Sequence, residues 1–511
     1  MSEQAGITAN AADKTLATGA LVLVTLSLSL AVFMNVLDTT IANVSIPTIT
    51  GNLAVSASQG AWIITAFAVP NAIAMPVSGW LGRQVGEVKL CVLCTALFTL
   101  ASFLCGIAPS YSFLLIIRAV QGLVAGPMIP LSLSLLLANY PADKRGMASG
   151  IWGMTAVVGP VAGPILGGWI TDNFGWPWIF FINIPVGIFA VLLTWTLLRK
   201  HETPITREPL DVIGLVLMVI GVGALQIMLD KGNDDGWLQS SFIITMAAIA
   251  VVFLAFWVAW ELTDDNPVVD LRLFARRNFA VATWVMTLGF ITYAAGIILL
   301  PLWLQTVQGY TPTWAGLVTA SLGILAVICS PLTGRLTDKI DLRLIVMFGM
   351  LLFAALSFLK ADANTDISFQ RLFLVRLPWG IGLACFFVPL ITLSLTGLAR
   401  DKIASASGLF NFMKQMGLAV GTSLSVALWD QREAYHDHVL SAHTGLTHPA
   451  TEHWLAHAHA LGMSQEQGYA AMAELIKQQS FMIGLNEMYT LAGFVFLALS
   501  VLVWLSRPNK V

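Results

Sequence analysis

Asp38 and Arg118 are the two residues of this sequence whose chemistry is hardest to explain by packing alone. Asp38 is the only acid in an apolar run over residues 19–42, and Arg118 opens a later apolar run. A carboxylate inside a bilayer costs about 2.5–3.5 kcal/mol, so it needs a cation partner, a proton or an aqueous cavity. Each of these possibilities favours a role in transport.

The two residues are predicted to lie at a similar depth, roughly 6–9 Å inside the outer membrane boundary, from the helical rise per residue. An arginine keeps its proton, so Arg118 would favour ionised Asp38 when near and permit its protonation when distant. Two other interpretations stay open. Asp38 could cap a helix end in the headgroup region, or the pair could be a static ion pair that joins two helices.

The composition identifies the class of protein. Of 511 residues, 57% are hydrophobic and only 11% are charged, with a mean hydropathy of +0.79, whereas a soluble domain carries about 25% charged residues. Many separate apolar runs predict an all-α polytopic membrane protein and not a barrel. The net charge of −2 does not favour a nucleic-acid partner. We find no Gly-x-x-x-x-Gly-Lys-Ser/Thr loop, so ATP is not expected as the direct energy source.

Two clusters could suggest metal or redox chemistry. Cys91 and Cys94 lie inside an apolar run, where two small packing side chains are the favoured interpretation. His453, His457 and His459 have helical spacing, but no cysteine or close acid pair completes a ligand set. We therefore expect no metal site and no catalytic nucleophile–base constellation, which argues against an enzyme.

Counting apolar runs of about 20 residues predicts fourteen membrane spans. With a cytoplasmic N-terminus, eighteen of the 26 Lys and Arg residues fall in cytoplasmic segments and five, Lys360 among them, fall outside. The other three, Arg118, Arg376 and Lys414, lie within spans. This asymmetry supports fourteen spans with both termini in the cytoplasm.

The sequence also contains an internal repeat. Gly334 follows Gly79 by 255 residues (334 − 79), and Arg376 follows Arg118 by 258 (376 − 118). Such a constant offset predicts two similar six-helix halves with two helices inserted between them, as in secondary transporters. The expected segments are the cytoplasmic N-terminus at 1–18, the first half at 19–198, the inserted helices at 199–260, a cytoplasmic amphipathic linker at 261–278, the second half at 279–506 with a periplasmic loop at 429–485, and the cytoplasmic C-terminus at 507–511.

The fifth span is rich in glycine and proline. Gly163 lies on one helix face with Gly167, which permits close helix approach, while Pro160 and Pro164 each remove a helical hydrogen bond. The pattern fits either a bendable seal between the halves or tight static packing.

Four motifs give the chain a family resemblance: Leu37-Asp38-x-Thr40-x-x-Asn43-x-x-x-Pro47, Arg118-Ala119-Val120-Gln121-Gly122, the run from Gly159 to Gly168, and the Gly-x-Leu loops at Gly79 and Gly334. They resemble the 14-span drug:proton antiporter branch of the major facilitator superfamily, and most of all the inner-membrane subunit of EmrAB-type efflux systems. One departure is that Arg83 stands where the family usually has Asp, whereas Asp338 is kept in the second half. A charge lock at the first loop could therefore use Glu87 or be weakened.

The resemblance implies roles for named residues. Asp38 and Arg118 would couple transport to protons. The conformational motifs would comprise Gly79, Arg83, Gly86, Gly159, Pro160, Gly163, Pro164, Gly334, Asp338 and Lys339, and the candidate substrate cavity Asn43, Gln121, Arg376 and Lys414.

The expected function is proton-driven efflux of hydrophobic drugs by alternating access in a bacterial inner membrane, with the proton motive force in place of a cofactor. The expected partners are drugs, protons, membrane lipids, a periplasmic adaptor and an outer-membrane channel. The alternatives are a proton-coupled symporter or uptake carrier and an exporter of one specific metabolite. A channel or receptor is disfavoured by the two-fold repeat and the intramembrane charges.

Overall fold

The computed structural model describes residues 18–141, 144–206, 209–444 and 448–508. The predicted terminal segments 1–18 and 507–511 lie almost wholly outside these ranges. The described residues form eighteen α-helices and no strand. The helices are α1 Thr18–Asn52, α2 Ala57–Val85, α3 Glu87–Gly106, α4 Tyr111–Ala125, α5 Met128–Asn139, α6 Arg145–Phe174, α7 Trp178–Phe181, α8 Asn183–Leu198, α9 Val212–Lys231, α10 Ser241–Thr263, α11 Arg277–Thr306, α12 Pro312–Thr337, α13 Leu342–Lys360, α14 Phe369–Arg376, α15 Trp379–Leu395, α16 Ile403–His443, α17 Pro449–Ala460 and α18 Gln465–Leu502.

Thirteen helical stretches of the described chain are long and apolar enough to cross a membrane, which identifies a multi-pass membrane protein. Helix α16 falls outside that set because polar residues such as Asn411, Lys414 and Gln415 dilute its apolar character. It nevertheless packs lengthwise against α2, α11 and α18, and it is the fourteenth crossing. The predicted all-α fold with two six-helix halves and two inserted helices is thus confirmed.

The helices alternate between two ends of the bundle. Helix α1 begins at one end of the bundle, where the short 3₁₀ turn Val503–Leu505 also lies, and we call this end the termini face. The opposite end carries α17, and we call it the hairpin face. The linker predicted at 261–278 lies at the termini face. It holds another 3₁₀ turn, Leu271–Ala275, between the end of α10 and the start of α11.

Glycines bring the two halves together along two seams, α2 with α16 and α6 with α12. On the first seam, a Cβ added to Gly79 would overlap the Ser405 side chain. On the second, a Cβ on Gly150 would lie 2.6 Å from the Ser330 carbonyl oxygen. Both contacts are near the termini face. At this end of each seam, the backbones of the two halves approach so closely that a residue larger than glycine would not fit.

The inserted helices pack along the α2–α16 seam. Thr65 of α2 donates a hydrogen bond to Asp230 of α9 at 2.7 Å, and Ser423 of α16 donates to the Leu229 carbonyl at 2.6 Å. Nearer the termini face, Trp257 of α10 packs edge-on against Phe412 of α16. The insertion therefore touches both halves.

The segment predicted as the loop 429–485 is helical over most of its described length. Helix α16 continues to His443 and α18 already begins at Gln465. Arg432 joins these two helices through Glu487, with Nη2 2.8 Å from Oε1, and His436 lies 3.1 Å from the same oxygen. The segment is therefore a helical hairpin, which we call the 429–485 hairpin.

Candidate functional site

Asp38 and Arg118 form a buried ion pair, with 0% and 1% of their side chains exposed. Helix α1 carries Asp38, and α4 carries Arg118 two turns after its Ser110 cap. The guanidinium Nη1 donates to the Asp38 carboxylate and, at 2.9 Å, to Gln121 Oε1, while Nε donates to the Ile63 carbonyl. The sequence prediction that these two residues meet agrees with this geometry.

A polar shell surrounds the carboxylate. Gln121 Nε2 donates to Asp38 at 3.3 Å and to the Ser102 hydroxyl at 2.8 Å, and Asn183 donates to Ser102 at 3.4 Å. All three side chains are buried. Because a buried charge is tolerated only when it is paired and hydrogen-bonded, this shell is what permits an ionised Asp38 here.

Aromatic rings enclose the arginine. The Arg118 guanidinium carbon lies 4.4 Å from the centroid of the Phe67 ring and 5.5 Å from that of Phe180. Such cation–π contacts stabilise a desolvated guanidinium.

The equivalent region of the second half carries different chemistry. Arg376 of α14 is also buried, but its Nη1 donates to the Gly296 backbone carbonyl at 2.9 Å and its Nε to the Thr319 carbonyl at 3.4 Å. Helix α11, which takes the place of α1, has no acidic residue in its sequence. Arg376 therefore has two neutral backbone acceptors where Arg118 has a carboxylate.

Lys360 is a residue whose burial the sequence count did not predict. It was assigned to an outer segment, but it ends α13 as a buried residue, with Nζ 4.0 Å from the Trp379 ring centroid and 5.2 Å from that of Tyr489. The repeat could have revealed this. Ser357-Phe358-Leu359 matches Ser102-Phe103-Leu104, so Lys360 stands where buried Cys105 does.

Lys414 lies between the halves, on α16. Its Nζ is 5.2 Å from the Phe387 ring centroid and 5.8 Å from that of Phe290. Trp152 of the first half stacks on Phe387 at 6.1 Å. Lys414 is thus a cation among aromatic rings at the interface of the halves, and its role in a substrate cavity stays a prediction.

The other predicted cavity residues are placed differently. The Gln121 side chain is hydrogen-bonded within the Asp38–Arg118 site, and the Arg376 side chain is hydrogen-bonded to the two backbone carbonyls. Asn43 is exposed on α1. Sequence position gave their depth in the membrane but not the direction in which each side chain points.

The conformational motifs lie where the halves or helices approach. Arg83 donates to the Ser405 hydroxyl at 3.2 Å, so the residue that departs from the family pattern itself contacts the other half. Glu87 accepts from Ser134 at 2.8 Å within its own half, and the charge of Arg400 from the second half also acts on it, so its use as a charge lock stays a prediction. Gly86 has a φ of +96° beside the Glu202 carboxylate.

The remaining motif glycines permit close packing. A Cβ on Gly159 would lie 2.7 Å from Val36, and one on Gly163 would overlap Thr40 of α1. Pro160 and Pro164 lie within α6 beside them. Gly334 meets the backbone of Gly146, which is also close to Asp338, while the last predicted motif residue, Lys339, is exposed.

Comparison with known proteins agrees with this architecture. Residues 28–422 match the Major Facilitator Superfamily. The chain is 48% identical to the "Multidrug export protein EmrB" of Haemophilus influenzae over 491 residues and 47% identical to the "Fatty acid resistance protein FarB" of Neisseria gonorrhoeae over 490, with 96% of both chains covered in each case. The fold is similar to that of the human organic anion transporter MFSD10, with a TM-score of 0.57, 13% identity, and 95% of this chain and 98% of that one covered.

Proposed function

The chain belongs to the major facilitator superfamily, and from this premise we propose that it is a drug:proton antiporter that exports lipophilic small molecules by alternating access. The observation that carries the proposal is the buried Asp38–Arg118 pair. It offers one carboxylate that can take up or release a proton within a transport protein. The multidrug export name of a relative 48% identical over almost the whole chain supports efflux over uptake.

The proposed coupling uses the partners around Asp38. Arg118 and Gln121 are the partners that would stabilise an ionised Asp38 in this arrangement. Movement of α4 relative to α1 weakens those bonds and favours protonation, because a buried carboxylate without a partner is costly. No cofactor and no covalent chemistry are needed, and the driving force is the proton gradient across a bacterial inner membrane.

The proposed substrate site is the Lys414 cluster between the halves. Its cation and aromatic rings suit neutral or weakly acidic lipophilic compounds better than organic cations. A relative named for fatty acid resistance is in keeping with that charge preference.

Transport by proteoliposomes with an imposed pH gradient tests the proposal. Wild-type protein should accumulate a lipophilic acid against its gradient, and Asp38→Asn should bind the compound but lose pH-driven accumulation. Asp362→Asn removes an exposed carboxylate at the hairpin face and is the matched control. Normal substrate-triggered proton release from purified Asp38→Asn protein would refute the coupling role.

We further propose that the 429–485 hairpin binds a periplasmic adaptor, which passes substrate to an outer-membrane channel. Apolar side chains are exposed there, among them Tyr435 at 54% and Leu461 at 65%. Burial, followed by the nearby Asp437 carboxylate, raises the pKa of Glu433 above its ordinary value, in keeping with a partly covered polar stem.

The structure allows a sharp deletion. Replacing residues 445–463 with a Gly/Ser linker removes α17 and leaves Arg432 and Glu487 to hold the stem together. Transport in proteoliposomes should be unchanged, while adaptor co-purification and drug resistance in cells should be lost. Adaptor binding that survives the deletion would move the docking surface to another part of the protein.

A further inference from the structure

A small cavity lies in the second half at the hairpin face, away from the Lys414 cluster. It measures about 30 Å³ and is enclosed by α11, α13, α14 and α18. Its lining includes Leu300, Trp303, Lys360, Arg371, Leu372 and Tyr489. The cavity therefore combines an apolar wall with a basic and aromatic one.

Three polar groups of this wall can each donate a hydrogen bond and have no partner within the described chain. Lys360 is 7% exposed, and within the described chain its Nζ has no hydrogen-bond partner. The same holds for the Trp303 indole nitrogen and the Tyr489 hydroxyl. Leaving several buried donors unpaired costs about 1–3 kcal/mol each, and more for a charged group. All three residues line the same cavity, so a ligand with acceptor atoms that entered it would meet unpartnered donors.

The charge around Lys360 has one sign. The charged group that acts on it is Arg376, a second cation, and Arg371 lines the same cavity. None of the lining residues is acidic. Two faces of aromatic rings contact the ammonium, but they neutralise no charge. An anion is the ligand that this environment favours.

We propose that this cavity binds the carboxylate of a lipophilic acid, held by Lys360, Tyr489 and Trp303. A carboxylate has two oxygens that accept several hydrogen bonds from different directions, which matches three separated donors. About 30 Å³ has room for the carboxylate but not for the tail, which would leave the cavity past the leucine side chains of the wall, Leu300 and Leu372 among them. The inference concerns binding alone and does not depend on proton coupling at Asp38.

Equilibrium binding of radiolabelled decanoate to the purified full-length protein tests the proposal, with decanol and decyltrimethylammonium as probes of matched tail length. Lys360→Met keeps the length of the side chain and removes its charge, so the protein should fold. It should weaken decanoate binding at this site by about tenfold or more, as expected for a lost charge-assisted hydrogen bond. Tyr489→Phe, which removes only the hydroxyl, should weaken binding about three- to tenfold.

Lys200→Met is the matched control, because it removes an exposed cation at the termini face, away from this cavity and from the Lys414 cluster. It should leave the Lys360-dependent site intact. Unchanged decanoate affinity in both Lys360→Met and Tyr489→Phe would overturn the proposal, as would equal binding of decanol. Competition by chloride at the same concentration as decanoate would also overturn it, since that site would recognise a small ion and not a lipophilic acid. If Lys360→Met protein does not fold, Tyr489→Phe and Trp303→Phe decide the outcome.

Discussion

The two halves of this transporter place an arginine at the same point and surround it with opposite chemistry. In the first half, Arg118 holds the Asp38 carboxylate within a polar shell. In the second half, Arg376 bonds to two backbone carbonyls and has Lys360 as a neighbouring like charge. Repeated folds can thus separate two tasks. In our proposals, one half keeps a group that exchanges protons, and the other holds the cations that bind an anion.

Replacing each arginine with methionine is expected to give the largest difference between the two halves. Arg118→Met would leave Asp38 buried without its cation, and breaking a buried pair costs about 3–5 kcal/mol. Arg376→Met loses only hydrogen bonds to neutral carbonyls and relieves repulsion of Lys360, so it should cost about 1–3 kcal/mol. Thermal unfolding of the purified proteins gives the order of stabilities, and substrate-triggered proton release should be lost only in Arg118→Met. Equal losses of stability and proton release in both variants would show that the halves are not specialised in this way.

Equivalent glycines in the two halves allow a second comparison, in which we expect a smaller loss of stability. Gly421 follows Gly163 by 258 residues (421 − 163), and a Cβ on either would overlap the neighbouring helix, at Thr40 for Gly163 and at the Ile291 backbone for Gly421. Alanine at each position should destabilise the protein by about 1–3 kcal/mol through overpacking. Gly168→Ala is the control, because its Cβ would lie an ordinary 3.7 Å from Val44. Thermal stability checks the order, and the prediction is contradicted if Gly168→Ala is the least stable of the three.

The two Gly-x-Leu loops give the smallest expected difference. Arg83 contacts Ser405 across the seam, whereas Lys339 of the second loop is exposed. Arg83→Ala should weaken closure at the termini face by about 0.5–1.5 kcal/mol, and Lys339→Ala should have no measurable effect. Spin-label distances across the α2–α16 seam report this equilibrium. A larger shift for Lys339→Ala would reverse the assigned roles.

Much of the architecture follows from the sequence because membrane spans need long apolar runs and the bilayer leaves few alternatives. The same reasoning located Asp38 and Arg118 because charges are rare in such runs. It did not find Ser102 or Asn183, since buried hydroxyl and amide groups have no distinctive pattern. It did not predict the burial of Lys360, because a lysine at a span end normally reaches water, and only the packing of Trp379 and Tyr489 shows that this one does not.

The inserted pair of helices has a consequence for how compounds dissolved in the membrane reach the protein. Asp230 and Leu229 fasten α9 across the junction of α2 and α16, and Trp257 extends that cover toward the other face. On that side, α9 and α10 lie between the lipid and the α2–α16 seam. On the opposite side, α6 and α12 face each other directly, with Val161 seated on Gly323. The two seams between the halves are therefore covered unequally, and a compound that enters from the bilayer is expected to do so at the α6–α12 seam.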